Sequence, residues 1–196
     1  MKINKPFAEV IESSLHGFMA QSWQWNSFPT FGSLITVEQG ERTSFGIVHH
    51  IQTGSMDPMR YPFPYQKTED ELLKEQPQIF EFLKTTFSCL NVGYLEKGKI
   101  TYALAGQPVK IHAFVSPAST ALSKQFFYSN NYLHVIFGCA NQITNLDELL
   151  LAILKEQAAL QVLSADKIKN LIYINGMINE LDILMEIFIL ENCLFS

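Results

Sequence analysis

Histidines are the side chains of this sequence that could most directly hold a metal ion, and their spacing argues against that chemistry. His49 and His50 are adjacent, so in a strand they point to opposite faces and cannot share one metal ion without distortion. The other three histidines have no histidine or cysteine at ligand spacing. We therefore predict no metal site and no cofactor.

Cysteines and paired carboxylates are the remaining candidates for catalysis. Cys89, Cys139 and Cys193 lie far apart and form no C-x-x-C pair, which is typical of reduced packing residues. A nucleophile made from a cysteine and a spatially adjacent histidine is the alternative, and no spacing in the sequence favours it. Glu9 and Glu12 could act as paired carboxylates, but their place on a predicted strand near the terminus favours simple solvation.

Aromatic residues in two predicted loops form a more informative set, which consists of Trp23, Trp25, Phe28, Tyr61, Phe63 and Tyr65. Exposed aromatic side chains bind protein partners and stack on single-stranded nucleic acids, whereas buried ones pack the core. All three interpretations stay open, although few lysines or arginines lie beside these residues. The candidate interface residues are Trp23, Trp25, Tyr61, Phe63 and Tyr65.

Composition limits the class of protein. With 47% apolar and 17% charged residues, the chain can bury a core that offsets its conformational entropy, so disorder is not expected. The net charge of −5 gives nucleic-acid phosphates no general attraction, and nucleic-acid binding is therefore not favoured.

The N-terminus and the most hydrophobic segment bear on location in the cell. The first residues do not develop the apolar stretch of a secretory signal. Between Leu171 and Leu190, charged residues such as Glu180 and Asp182 would each cost roughly 2.5–3.5 kcal/mol near a bilayer centre. We expect a cytoplasmic protein without a membrane span.

Alternating apolar and polar residues predict short strands in the first part of the chain, and turn residues separate them. The predicted strands are 7–12, 33–38, 44–51, 89–95, 100–104 and 109–115. Gly46 interrupts the third strand, which indicates a bulge or a close approach of two backbones. Between the third and fourth strands, Thr68 is expected to cap a helix and Pro77 to start a second one.

Helical patterns replace the alternation after Pro117. The apolar run 133–139 is of undecided type, and acidic residues after Asn145 favour a helix start. From Ala165 to Asn192, apolar residues occupy most faces of a predicted helix, so more than one side must be covered. The cover is either the chain's own barrel and helices or a second copy, and we prefer a homo-oligomer formed through this helix.

Three segments of the first part resemble one known family: the strand 7–12, the Pro-x-Phe-Gly-Ser-Leu-Ile-x-Val segment 29–37, and the Phe-Gly-Ile-Val-x-x-Ile segment 45–51. Their order resembles the HerA–ATP synthase barrel, a six-stranded barrel found in HerA-type DNA translocases and in the catalytic subunits of rotary ATP synthases. The resemblance covers residues 5–117. The barrel motif then consists of Pro29, Phe31, Gly32, Gly46 and Val48. We expect Gly32 and Gly46 to adopt positive φ close to a neighbouring backbone.

The resemblance also implies what should follow the barrel. A translocase or ATPase of this family would continue into a phosphate-loop domain, and no segment after Pro117 reads G-x-x-x-x-G-K-[ST]. We therefore expect a stand-alone barrel in which helices take the place of the motor domain. Because the barrel of such translocases docks a nuclease, a DNA-processing assembly is a candidate setting for this chain.

The sequence thus predicts an α+β fold and a binding role. An N-terminal small antiparallel β-barrel domain is expected over residues 1–117, with a helical insertion around 68–87, followed by a helical C-terminal region over 118–196. The favoured function is a non-catalytic interaction module that docks a protein partner of unknown identity. The alternatives are a nucleic-acid-binding small barrel and an enzyme with an unrecognised site.

The missing phosphate loop predicts that the purified protein neither hydrolyses nor tightly binds ATP. A phosphate-release assay should give the rate of the blank, with a known ATPase as the positive control. Turnover that remains after contaminating ATPases have been removed would contradict the prediction.

Overall fold

The barrel predicted from the sequence is present in the computed structural model, which describes residues 5–57, 59 and 62–163. Within these ranges every strand pairing is antiparallel, and the order is β2-β1-β7-β3-β4-β5-β6 with a further β2–β5 pairing. That pairing closes six strands into a barrel and leaves β6 paired with the last residues of β5, beyond the part of β5 that pairs with β2. The strands are β1 Ala8–Ser13, β2 Gly17–Ser22, β3 Leu34–Gln39, β4 Arg42–Ser55, β5 Leu83–Glu96, β6 Lys99–Thr101 and β7 Phe114–Pro117.

In the part of the chain that the structure describes, the barrel interior is one of two hydrophobic cores. Alternate residues of the strands point inward and are buried there, as the two-residue period of a strand requires. Its larger members are Val10, Phe18, Ile35, Val37, Val48, Phe87, Cys89 and Val115.

The second core lies between the outer face of β3, β4 and β5 and the helices that follow the barrel. These helices are α3 Thr120–Phe127, α4 Tyr132–Gly138 and α5 Leu146–Ala159. Phe126 is at the centre, with its ring centroid 4.7 Å from that of Phe45 and 5.2 Å from that of Tyr102. The buried amide of Gln157 donates to the hydroxyl of Tyr132 at 2.7 Å. The residues 118–163 therefore share a core with the barrel and are not an independent unit.

The helical insertion connects β4 to β5 and has its predicted start. It contains α1 Glu69–Glu75 and α2 Gln78–Glu81. Thr68 caps α1 in a capping box, because its side chain accepts the N–H of Glu71 while the Glu71 carboxylate accepts the N–H of Thr68. Residues 83–87, which the sequence placed in the insertion, belong to β5.

Several predicted elements differ in extent from the observed ones. The prediction omitted β2 and α3. It also omitted the last residues of β4, 52–55, and the first residues of β5, 83–88. The predicted strand 109–115 is shifted, since β7 begins only at Phe114, while Val109 is buried in the barrel interior without being in a strand. The undecided run 133–139 is largely α4.

The C-terminal helix predicted over 165–192, and the self-association expected through it, lie outside the described residues. Within the described part of the chain, every helix is too short or too polar to span a membrane.

Gly32 and Gly46 are constrained for different reasons. Gly32 adopts a φ of +81°, and a Cβ at this position would lie 2.5 Å from the Cβ of Ala152, so α5 packs directly on this turn. Gly46 has no positive φ, and a Cβ there would lie 3.0 Å from the ring of Phe18. The expectation of positive φ and a backbone clash is therefore wrong for Gly46. The bulge expected there is present in the β4–β5 pairing, with Val92 of β5 as the extra residue.

Replacing either glycine with valine should lower the melting temperature. Gly32→Val combines positive φ with a steric clash, and Gly46→Val overfills the barrel interior, so each should cost about 1–3 kcal/mol of unfolding free energy. Thermal or urea unfolding of the purified variants measures this cost.

Gly54→Val is the matched control, because Gly54 lies in the same strand as Gly46 and a Cβ there would meet nothing within 4 Å. This variant should melt close to the parent protein. If Gly32→Val and Gly46→Val also melt like the parent, the packing described above is wrong.

Candidate functional site

The barrel topology brings two long connections between its strands to the same end. β2 ends and β3 begins there, and they are joined by residues 23–33. β4 ends and β5 begins at the same end, because Ser55 pairs with Leu83, and they are joined by residues 56–82. We call the surface formed by residues 23–33 and by the described residues of 56–82 the aromatic end.

Large apolar side chains are exposed at the aromatic end. Phe63 is 70% exposed and Trp23 is 52% exposed, and Tyr65 is accessible beside Phe63, with the two ring centroids 5.6 Å apart. Among the described residues, nine of the fifteen exposed large hydrophobic side chains belong to these two connections, so the exposure is concentrated there: Trp23, Phe28, Phe31, Met56, Met59, Phe63, Tyr65, Leu73 and Phe82.

Trp25 links the two connections. Its ring stacks on Phe80 of α2, with centroids 5.4 Å apart and an interplanar angle of 22°. Its carbonyl accepts the hydroxyl of Thr85, which is also 2.7 Å from the hydroxyl of Thr53 across the β4–β5 pair. Since α1 and α2 contain no buried residue, this stack is a main attachment of the insertion to the rest of the barrel end.

Trp23 extends the exposed surface onto the barrel wall. Its ring meets the ring of Phe114 edge to face, with centroids 5.4 Å apart. Phe114 is 55% exposed, and its β7 position pairs with Glu9 of β1 on the outer face of the barrel. Glu9 in turn hydrogen-bonds to the ring of His112, so this carboxylate has a structural contact and is not paired with Glu12.

The two connections at the aromatic end differ in charge. One has no charged side chain, and the other has more acidic than basic residues. Residues 23–33 contain no charged side chain, whereas residues 56–82 contain six carboxylates and three basic residues. The aromatic end therefore combines exposed apolar side chains with an excess of carboxylates in residues 56–82.

A cavity of about 330 Å³ opens beside the aromatic end, between the connection 23–33, the end of β7 and α5. Glu156 of α5 lines it, and the Glu156 carboxylate lies near the backbone N–H of Leu34, the first residue of β3. Burial raises the pKa of Glu156, and the nearby N–H of Leu34 acts in the opposite direction. The apolar walls include Phe7, Phe28, Pro29 and Pro117.

A second cavity, of about 210 Å³, brings together Cys89, His16, His49 and Glu12. Cys89 is buried, and burial raises the pKa of its thiol well above the usual value, so its nucleophilic thiolate is disfavoured. Burial and the neighbouring His50 lower the pKa of His49. In the described residues, no group of three histidine, cysteine or acidic side chains could hold a metal ion.

The residues singled out from the sequence divide between scaffold and surface. Gly46 and Val48 are buried in β4, whereas Pro29, Phe31 and Gly32 form the turn before β3, where Phe31 is partly exposed. Of the candidate interface residues, Trp23, Phe63 and Tyr65 are exposed and Trp25 is half-buried, while Tyr61 lies outside the described residues.

Phe82 and Phe114 were not predicted as surface residues, and Glu156 was not predicted as a cavity residue. Phe82 lies in the range predicted as a helical insertion, and Phe114 lies in a predicted strand whose outer face only the β1–β7 pairing identifies. Glu156 has no local signal, because its partner Leu34 is distant in sequence.

Exposed rings on a rigid barrel can bind an apolar protein surface at low entropic cost, because each aromatic side chain has only two torsions to order. No protein-family profile matches the sequence, and no curated protein is significantly similar to it. The function is therefore inferred from the geometry of the aromatic end.

Trp25→Ala should loosen the helical insertion without unfolding the barrel. The stack on Phe80 is worth about 0.5–1.5 kcal/mol beyond its buried area, so its loss should speed local opening by about two- to tenfold. Hydrogen–deuterium exchange over residues 69–81 measures this change.

Trp23→Ala provides the control, because Trp23 packs on Phe114 and not on the insertion. Exchange over 69–81 should be unchanged in this variant. Equal exchange in wild type and Trp25→Ala would show that the stack does not hold the insertion.

Proposed function

We propose that this protein is a non-catalytic interaction module whose aromatic end docks a protein partner. The observation that carries the proposal is the concentration of exposed aromatic and methionine side chains on the two connections at one end of a closed barrel. Exposed apolar patches of this kind mark interaction sites on proteins, and aromatic residues supply most of the binding energy at such sites.

The barrel gives this surface a rigid support. Trp25 is held by Phe80 and by the hydroxyl of Thr85, and Trp23 is held against Phe114. Binding then orders few additional side chains, which reduces the entropic cost of association. The partner should therefore present an apolar patch to the rings.

A nucleic-acid-binding barrel is the second candidate, because exposed rings also stack on unpaired bases. The absence of charge from residues 23–33 and the excess of carboxylates in residues 56–82 argue against it. Affinity for a nucleic-acid strand depends mainly on lysine and arginine neutralising its phosphates. A protein partner is therefore the better explanation of these rings.

The proposal includes membership of the HerA–ATP synthase barrel family. A closed six-stranded antiparallel barrel is what the sequence resemblance implied, which supports this assignment. Because the barrel in translocases of that family docks a nuclease, a DNA-processing assembly in the cytoplasm is the setting that we propose for this chain.

Phe63→Ser should reduce capture of the partner. Affinity purification of the tagged full-length protein from its own cells, followed by mass spectrometry, should identify a protein that the variant retains at least about 30-fold less well, as expected for an interface hot spot. Leu15→Ser is the control, because Leu15 is exposed in the turn between β1 and β2, at the opposite end of the barrel.

Salt separates the two candidate functions. Binding through the aromatic rings to a protein should change little between low and high salt, whereas binding to a single-stranded oligonucleotide would weaken steeply. Equal capture by wild type and Phe63→Ser, or tight salt-sensitive binding of the oligonucleotide, would contradict docking of a protein at the aromatic end.

A further inference from the structure

The cavity beside the aromatic end is built around an acidic group in apolar surroundings. Its volume is about 330 Å³, and Phe7, Phe28, Pro29 and Pro117 contribute apolar wall. Glu156 lines the same space from α5. A volume of this size accommodates a long side chain or a small molecule, since ligand pockets start at roughly 300 Å³.

Glu156 lies where α5 meets the start of β3. The Leu34 C=O accepts the N–H of Ala118, so β3 is bonded at this point to the chain that leaves β7. The Leu34 N–H lies near the Glu156 carboxylate and acts to lower its pKa. Packing of α5 on Gly32 brings Ala152, one helical turn before Glu156, against the same connection. The packing of α5 on this connection therefore places Glu156 at the cavity.

The backbone N–H of Leu34 leaves acceptor capacity on Glu156. A carboxylate offers about four lone-pair sites, and one N–H occupies a single site. Burial disfavours the ionised carboxylate, as the raised pKa of Glu156 reflects, so a cation placed beside it would be favoured. The cavity thus combines a positioned acceptor with apolar walls.

We propose that this cavity receives an arginine side chain of the protein partner, whose guanidinium pairs with Glu156. The inference rests on the proposed function, because Phe28 and Pro29 of the aromatic end line the cavity. Arginine fits better than lysine, since a planar and weakly hydrated guanidinium can lie against the ring of Phe28 while it pairs with a carboxylate. The excess of carboxylates in residues 56–82 also favours a partner with basic residues.

Among the described residues, Lys5 is the one basic residue that lines the cavity. It is exposed, so its charge is solvated and screened, whereas Glu156 is partly buried. The opposite occupant, a carboxylate bound by Lys5, therefore has weaker electrostatic support. Substitution of Lys5 should weaken binding of a carboxylate but not binding of an arginine, which makes Lys5 a useful test position.

The test is an NMR titration of the full-length protein with N-acetyl-arginine amide and with N-acetyl-citrulline amide, its neutral analogue of nearly the same shape. Arginine amide should shift the backbone amides of Leu34 and Ala118, and citrulline amide should bind about tenfold more weakly or worse, since a hydrogen bond between two ionised groups is stronger than one that involves a neutral group. This comparison needs no variant, so it does not depend on the folding of one.

Glu156→Gln then assigns the effect to the carboxylate. Glutamine keeps an oxygen that can accept the N–H of Leu34, and an unchanged melting temperature would show that the variant is folded. Its affinity for arginine amide should fall about tenfold or more, whereas Lys5→Ala should bind arginine amide as well as the parent or better. Equal binding of arginine and citrulline amides, or full affinity in Glu156→Gln, overturns the proposal.

The two proposals can fail separately. N-acetyl-glutamate amide that binds the parent but not Lys5→Ala would replace the arginine assignment with an anion site. If the captured partner is lost in Phe63→Ser but retained in Glu156→Gln, docking at the aromatic end stands and the arginine assignment is wrong. If arginine amide binds through Glu156 while Phe63→Ser captures all that the parent does, the cavity assignment stands and docking through the rings is wrong.

Discussion

Closure of the barrel through the pairing of β2 with β5 is the constraint on which the other features depend. Together with the β1–β7 pairing, it fixes the direction and level of every strand relative to its neighbours. The connections 23–33 and 56–82 then have to leave and re-enter the barrel at the same end. Residues that are far apart in the chain, such as Trp25 and Phe80, meet there as a consequence. A closed barrel also leaves few unpaired strand edges, so the side chains of its connections become its main means of contact.

The strands β3, β4 and β5 are buried on both faces, because one face lines the barrel interior and the other packs against the helices. Inward residues such as Ile35 and Val48 fill the barrel, while Leu34, Phe45 and Ile47 of the same strands face the helices. The helices therefore complete a layer over one side of the barrel. The outer surface on the opposite side of the barrel carries Glu9 and Gln21. These polar residues are partly exposed and belong to neither hydrophobic core. Because the helices pack on the side of the barrel formed by β3, β4 and β5, α5 lies beside the turn at Gly32.

The sequence could predict those elements whose signals are local. The alternation of β1, β3 and β4 and the cap at Thr68 are physical properties of a few neighbouring residues, and the structure confirms them. β2 was missed because Gly17, Ala20 and Ser22 give it little strand propensity, and its conformation depends on pairing with β1 and β5. For the candidate site, loop position identified Trp23, Phe63 and Tyr65. Their presence at one end, and the cavity beside it, follow from barrel closure and from a contact between β3 and α5, which no local pattern encodes.

The helical insertion is joined to the barrel by a two-stranded extension, and neither of its helices contains a buried residue. Substitutions on these helices therefore meet little of the packing constraint that acts on the barrel strands. In evolutionary terms, the insertion can change its length, charge and ring content while the barrel below it is preserved. A protein built in this way can acquire a different binding specificity without a new fold, in the manner of an antibody loop on its sandwich. The same independence makes residues 56–82 a natural place to graft a foreign recognition segment.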